Sequence, residues 1–273
     1  MSADALHPLD RATRLTPTVD GALAGATDAA YANMVGPFGG LTAAVMLNAA
    51  LTHPQRLGDP IALTVNFAGP VADGPFRIEA APARTNRSTQ HWTITQSQDG
   101  AVTTTASAVF ATRRETWSAT EATMPQVPAA DTLPRFDDPR FPPWTRQYAM
   151  RFARGGRPAD PGAPAHERDS VCVVWTRDDP PRPLDFLSLA SICDTFFPRI
   201  AIRRPVRTPA GTVSLTTHFH ADAAQLAAYG TRPVLGVARA SRFGLGYHDQ
   251  SAEIWGEDGA LLATSHQIVY FKE

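Results

Sequence analysis

Cysteine is scarce in this chain: Cys172 and Cys193 are the two in 273 residues, too few for a disulfide framework. The opening stretch "MSADALHPLDRATRL" lacks a basic region followed by an apolar one, so no secretory signal is read and the expected location is the cytoplasm. No hydrophobic run approaches the roughly 20 apolar residues needed to cross a bilayer, and no membrane role is expected. An excess of one charge is also missing. Lys and Arg number 25 against 26 Asp and Glu, with a sequence pI near 6.7, which argues against a protein built to hold nucleic acid or an anionic lipid surface. There is no G-x-S-x-G, which removes the support for a serine-nucleophile α/β-hydrolase. The "GLG" at 244–246 lacks the third glycine and the βαβ setting of a dinucleotide site.

What is present is 43% hydrophobic residues with only 19% charged, the composition of a globular chain with an ample core and, by default, a small-molecule site. "NMVGPFGGLTAAVMLNAALTHP" (33–54) reads as a glycine-rich turn and then a helix. Leu41, Ala44, Val45, Asn48 and Ala49 fall at helical spacing and Pro54 ends the run. Four β-like segments follow, at 61–71, 76–85, 89–100 and 101–112, rich in β-branched residues, with "QDG" at 98–100 as a hairpin turn.

Residues 113–143 break this pattern. "MPQVPAADTLPRFDDPRFPP" carries six prolines and reads as a linker between a first unit (1–112) and a second (144–273). In the second unit "TRQYAMRFARGG" and "SVCVVWTRD" read as strands around a Pro/Gly-rich loop. A helical run over 185–197 comes next, then strands at 212–221, 232–243, 247–259 and 260–271.

The second half repeats the order of the first. "LTVNF" (63–67) recurs as "LTTHF" 152 residues later, and "DGAVTTTASAVF" as "DGALLATSHQIV" 159 residues later. The chain reads as a tandem duplication. Each unit is an α+β arrangement, one helix burying its apolar stripe against an antiparallel sheet, and two such units side by side make a double hotdog.

"GPFGGLTAAVMLNAA", "LTVNFAGPV" and "ARTNRSTQHWTITQSQDG" in the first unit, with "SICDTFF", "GTVSLTTHFH" and "ATSHQIVYF" in the second, resemble the acyl-CoA thioesterase II (TesB-like) family. The resemblance covers roughly residues 20–112 and 145–272. It implies two fused hotdog units, an acyl-CoA substrate, no cofactor, a homo-oligomer and a catalytic set of Asp194, Thr212 and Gln267. Two positions depart from the family pattern: Ser214 where Asp is common, and Cys193 where Ala is common.

Asp194 is notable without any resemblance. It sits in "LASICDTFF", and a carboxylate in an apolar run costs several kcal/mol or more unless it is paired, hydrogen-bonded or protonated. Thioester hydrolysis needs water, a base to take its proton, and donors for the oxyanion. Asp194 suits the base, with Thr212 and Gln267 holding the water. Gly39 and Gly40 offer backbone N–H groups at a helix start as oxyanion donors. Arg84 and Arg87, with Arg203, Arg204 and Arg207, suit the phosphates of coenzyme A, and Phe38, Phe196 and Phe197 suit an acyl tunnel.

Competing readings are weaker. His218 and His220 share a strand face as a metal pair would, with His248 and His266 as more distant partners, yet no third ligand is near in sequence and no bound metal is expected. Cys193 reads as a packed core thiol. A non-catalytic acyl-CoA or acyl-carrier binder is the main alternative. A hotdog hydratase is disfavoured because neither helix carries a histidine before His53, at the end of the first.

Overall fold

The computed structural model describes residues 6–156, 169–204, 206 and 208–272; most of the loop at 157–169 and Arg207 lie outside the described residues. The elements run α1 (Pro8–Ala12), β1 (Thr16–Pro17), β2 (Leu23–Ala26), α2 (Gly39–Leu51), β3 (Asp59–Phe67), β4 (Pro75–Thr85), β5 (Thr89–Gln98) and β6 (Ala101–Ala111) in the first half. The second half has β7 (Arg151–Arg154), β8 (Cys172–Thr176), α3 (Phe186–Ile192), α4 (Arg199–Arg203), β9 (Ala210–Phe219), α5 (Ala223–Tyr229), β10 (Val234–Arg239), β11 (Phe243–Gly244), β12 (Tyr247–Trp255) and β13 (Leu261–Phe271). The strands form one sheet in the order β1-β2-β4-β5-β6-β3-β9-β13-β12-β10-β8-β7, with β11 paired to β12. This is a double hotdog.

The duplication is visible in the register. The two copies of the repeated segment, in β3 and β9, pair antiparallel at the centre of the sheet. Thr64 lies opposite Thr216, its own counterpart in the repeat, with the two hydroxyls 3.0 Å apart, so the pseudo-twofold axis passes through that pair.

Helix α2 is buried almost all round, with Ala43, Ala44, Met46, Leu47, Ala49 and Ala50 at 0% exposure. Its small residues let α3 approach closely: a Cβ at Gly40 would strike the Ser191 carbonyl and the Phe38 ring. The predicted "QDG" turn is a tight hairpin, with both central residues in the left-handed region, Asp99 at φ 49° and Gly100 at φ 78°.

Four expectations need correction. The run 185–197 is not one helix: α3 stops at Ile192 with Cys193 as its C-cap, and α4 begins after Pro198. Pro198 inside a continuous helix would clash with the carbonyl four residues back, that of Asp194, so the chain breaks there. "TRQYAM" is no strand; Pro143–Gln147 form a 3₁₀ turn, and β7 covers only Arg151–Arg154. Residues 113–143 form no strand, but they do more than connect. Met124, Val127, Ala130 and Leu133 pack on Val173, Trp175, Leu235 and Trp255, covering the outer face of the second unit's sheet. Trp175 Nε1 donates to the Pro128 carbonyl at 2.9 Å. Finally, α1, β1, β2 and α5 were not anticipated, although α5 carries a capping box between Asp222 and Gln225.

Candidate active site

The interruption between α3 and α4 places Asp194 in a turn, aimed across the fold at β13 and at the start of α2. The residue is 9% exposed. Gln267, pointing inward from β13, donates from Nε2 to Asp194 Oδ1 at 2.8 Å, and Thr212 Oγ1 of β9 donates to Gln267 Oε1 at 3.1 Å. Three residues from three separate elements are therefore joined in one chain of hydrogen bonds. The Gly40 backbone, at the start of α2, acts with Gln267 to favour the charged form of that carboxyl.

Burial dominates the electrostatics of this group. Desolvation pushes the Asp194 carboxyl up to about 7, against the opposing bonds from Gln267 and Gly40. The second oxygen, Oδ2, faces Gly39: a Cβ added there would sit 2.7 Å from it. Gly39 thus leaves a gap beside the carboxyl, at the positive end of α2, where an anion is favoured. Gly39 and Gly40, the expected oxyanion donors, are the first two residues of α2, beside the carboxyl.

A second buried layer backs the triad. Gln250 on β12 lies directly opposite Gln267, and fully buried Arg199 donates from Nε to Gln250 Oε1 at 2.9 Å. Arg199 also donates to the carbonyls of Ser170 and Phe197. The first unit fills the matching place differently: Ala108, 159 residues before Gln267, has Trp92 as its cross-strand neighbour, and both are buried. At these two positions the first unit is apolar.

The arginine expectations divide. Arg84 and Arg87 belong to the β4–β5 hairpin, which lies level with the Ala111 and Asp59 end of the sheet, whereas Gly39 packs on Phe67 at the far end of β3. Eight strand residues, roughly 26 Å, separate the two ends, so the structure does not bring these arginines to Asp194. Arg84 instead donates to Asn86 at 2.9 Å. Arg204 follows α4 and lines a groove of about 410 Å³ with Ile200, Phe243, Leu245 and Phe271, at the Thr212 end of β9 and β13. Phe38 stacks on Trp144 at 4.2 Å, and Phe197 sits among Phe136, Phe141 and Phe152. Both are held in the core by other aromatic rings.

His220 Nε2 lies 3.1 Å from Thr264 Oγ1, and among the described residues no group of three or more His, Cys, Asp or Glu is placed to hold a metal ion. The Cys193 thiol is pushed up to about 12 by burial, as a packed core cysteine should be.

Comparison with known proteins decides the family. The acyl-CoA thioesterase C-terminal domain matches residues 121–271, and the acyl-CoA thioesterase N-terminal domain matches residues 29–111. The chain belongs to the acyl-CoA thioesterase family. A hot dog fold protein of unknown function from Alicyclobacillus acidocaldarius is 51% identical, with a TM-score of 0.93 over 98% of this chain and 99% of that one. The acyl-CoA thioesterase II TesB2 of Mycobacterium marinum shares the fold at 19% identity and a TM-score of 0.76, over 97% of this chain and 98% of its own. The tesB protein of Mycobacterium avium subs paratuberculosis does so at 17% identity and the same TM-score, over 97% and 98%. No curated protein matches this chain. Within the thioesterase family, the feature that sequence reading missed here is the buried support behind Gln267. Arg199 and Gln250 could have been noticed as polar residues in apolar runs, but nothing in their spacing pairs them.

Proposed function

We propose that this chain hydrolyses the thioester of an acyl-CoA to free acid and CoA, by direct attack of a water activated at Asp194. The observation that carries this reading is the Thr212–Gln267–Asp194 chain, assembled around a carboxyl whose second oxygen faces the start of α2. With its pKa near 7 the carboxylate accepts a proton from water at neutral pH while remaining a better base than an exposed aspartate. The water proton passes to Asp194, the hydroxide oxygen bonds to the thioester carbonyl carbon, and Gly39 N–H at the helix start receives the oxyanion. Collapse of that intermediate breaks the C–S bond, and the proton held by Asp194 returns to the departing thiolate. No covalent acyl-enzyme is required.

Thr212 and Gln267 act by orientation. Thr212 fixes the Gln267 amide, and the amide fixes one carboxyl oxygen, leaving the other to meet water. The groove beside Arg204 supports a place for the nucleotide end of CoA, since a cation there meets phosphate next to two aromatic rings. Release of free thiol from acyl-CoA by wild-type protein and by Asp194→Asn tests the reading. Acyl-CoA binding without thiol release would favour a carrier or sensor instead.

A further inference from the structure

Asp194 is held in place by a segment far from it in sequence. Where the long linker ends, the 3₁₀ turn Pro143–Gln147 and the Tyr148 that caps it deliver Trp144 and Tyr148 to the junction of the two units. Trp144 stacks on Phe38, the N-cap residue of α2, with rings 4.2 Å apart and 7° from parallel. Tyr148, fully buried, contacts the same Phe38 ring edge-on at 6.0 Å, and its hydroxyl lies 2.6 Å from Ser191 Oγ on α3. Its backbone is pinned by a bridge to Asp178.

Ser191 is the hinge of this arrangement. Its carbonyl accepts the Asp194 N–H at 3.1 Å, closing the turn that aims the carboxyl. The same carbonyl lies against Gly40, at the helix start that supports the carboxyl. One hydroxyl pair therefore fixes the turn carrying Asp194 relative to the helix start that supports it.

We infer that Tyr148 is a positioning residue for the reaction, acting through Ser191 to hold Asp194 within reach of Gln267 and against the start of α2. The inference rests on the thioesterase reading of the site. Tyr148 touches no substrate group in this scheme. Its hydroxyl is kept neutral by burial, so it contributes geometry rather than charge. Loosening that pair lets the carboxylate drift from Gln267 and the start of α2, which removes stabilisation of the charged form and raises the pH at which Asp194 becomes a base.

The titratable groups around the site are few. Cys193 on the same turn and Tyr148 face Asp194, and no charged side chain is among the groups that shift it. Tyr148 in turn faces Tyr31 and Asp178. Asp178 is buried, pushed up to about 6 by desolvation and bonded to Ser188 Oγ at 2.5 Å, so its own titration must be separated from that of Asp194.

The test is the pH dependence of kcat and KM for acyl-CoA hydrolysis in wild type, Tyr148→Phe, Ser191→Ala, the double variant and two controls, with folding checked by thermal melting. Tyr148→Phe and Ser191→Ala should each lower kcat roughly 10-fold or more with KM nearly unchanged, and move the acid limb of the kcat profile to higher pH. The double variant should be no worse than either single one, because both remove one interaction. Tyr31→Phe, whose hydroxyl makes no hydrogen bond, and Asp178→Asn should leave the limb where it is in wild type. Loss of kcat that follows lost stability with the limb unmoved, additive singles, or a limb displaced by Asp178→Asn would each overturn the inference. Wild type that hydrolyses acyl-CoA while Tyr148→Phe matches it defeats this inference alone; wild type that hydrolyses none defeats the thioesterase reading beneath it.

Discussion

Gln267 Nε2 donates to Asp194 Oδ1 at 2.8 Å, joining a strand of the second unit to the turn where that unit's helix is interrupted. The amide oxygen of the same Gln267 accepts from Thr212, so the side chain is held at both ends and cannot flip without losing both bonds. A buried glutamine fixed in this way determines which carboxyl oxygen is left to react.

Removing that amide should therefore cost turnover more than binding. Gln267→Ala is expected to lower kcat roughly 100-fold with a smaller change in KM, and Thr212→Val, which removes only the outer bond, to cost less. Steady-state kinetics of both variants checks the ranking. A larger loss in Thr212→Val would mean that Thr212 meets the reacting water itself.

Gly39 is a test of space rather than chemistry. Gly39 is the first residue of α2 and its φ is not in the left-handed region, so Gly39→Ala should leave the fold intact. Its Cβ would nonetheless meet Asp194 Oδ2 at 2.7 Å. Turnover should fall at least 10-fold while the melting temperature holds, as kinetics and a circular dichroism melt would show. Gly40→Ala differs, because its Cβ would run into the Ser191 backbone, and it should destabilise the protein.

The buried carboxyl should also trade stability against function. Its pKa in the folded protein, about 7, lies above the unfolded value near 3.8, so the folded state holds that proton more tightly. The stability this provides is complete below about pH 4 and is lost as pH rises through 7. Asp194→Asn carries no such charge. Its melting temperature should exceed that of wild type at about pH 8, by an amount equivalent to a few kcal/mol at most, and the gap should shrink towards about pH 5. Equal melting temperatures at both pH values would show that Asp194 ionises without cost.

Activity should follow the same titration in the useful direction. The base form of Asp194 accumulates as pH rises through about 7, so kcat should climb on that limb and level off above it. A plateau extending down to about pH 5 would place the carboxyl at its ordinary value.

Much of this was legible in the sequence. The repeat of Leu63–Phe67 at Leu215–Phe219 anticipated two like units, and the register shows the copies paired with each other. Asp194 drew attention as a lone carboxylate in an apolar run, and the structure joins it to Gln267 and Thr212. Other features were not legible, for physical reasons. Helical periodicity extends through 185–197, and only the clash imposed by Pro198 on the turn before it breaks the helix at Asp194. The roles of Trp144 and Tyr148 depend on where an irregular, proline-rich segment comes to rest, which no periodicity encodes.

The most direct measurement is thiol release from a panel of short, medium and long acyl-CoAs by purified wild type and Asp194→Asn, both shown to be folded. Hydrolysis by wild type, with a loss of 100-fold or more in Asp194→Asn, is the expected result. Retained turnover in the folded variant would show that the buried carboxylate is not the base and that this site does not work as described.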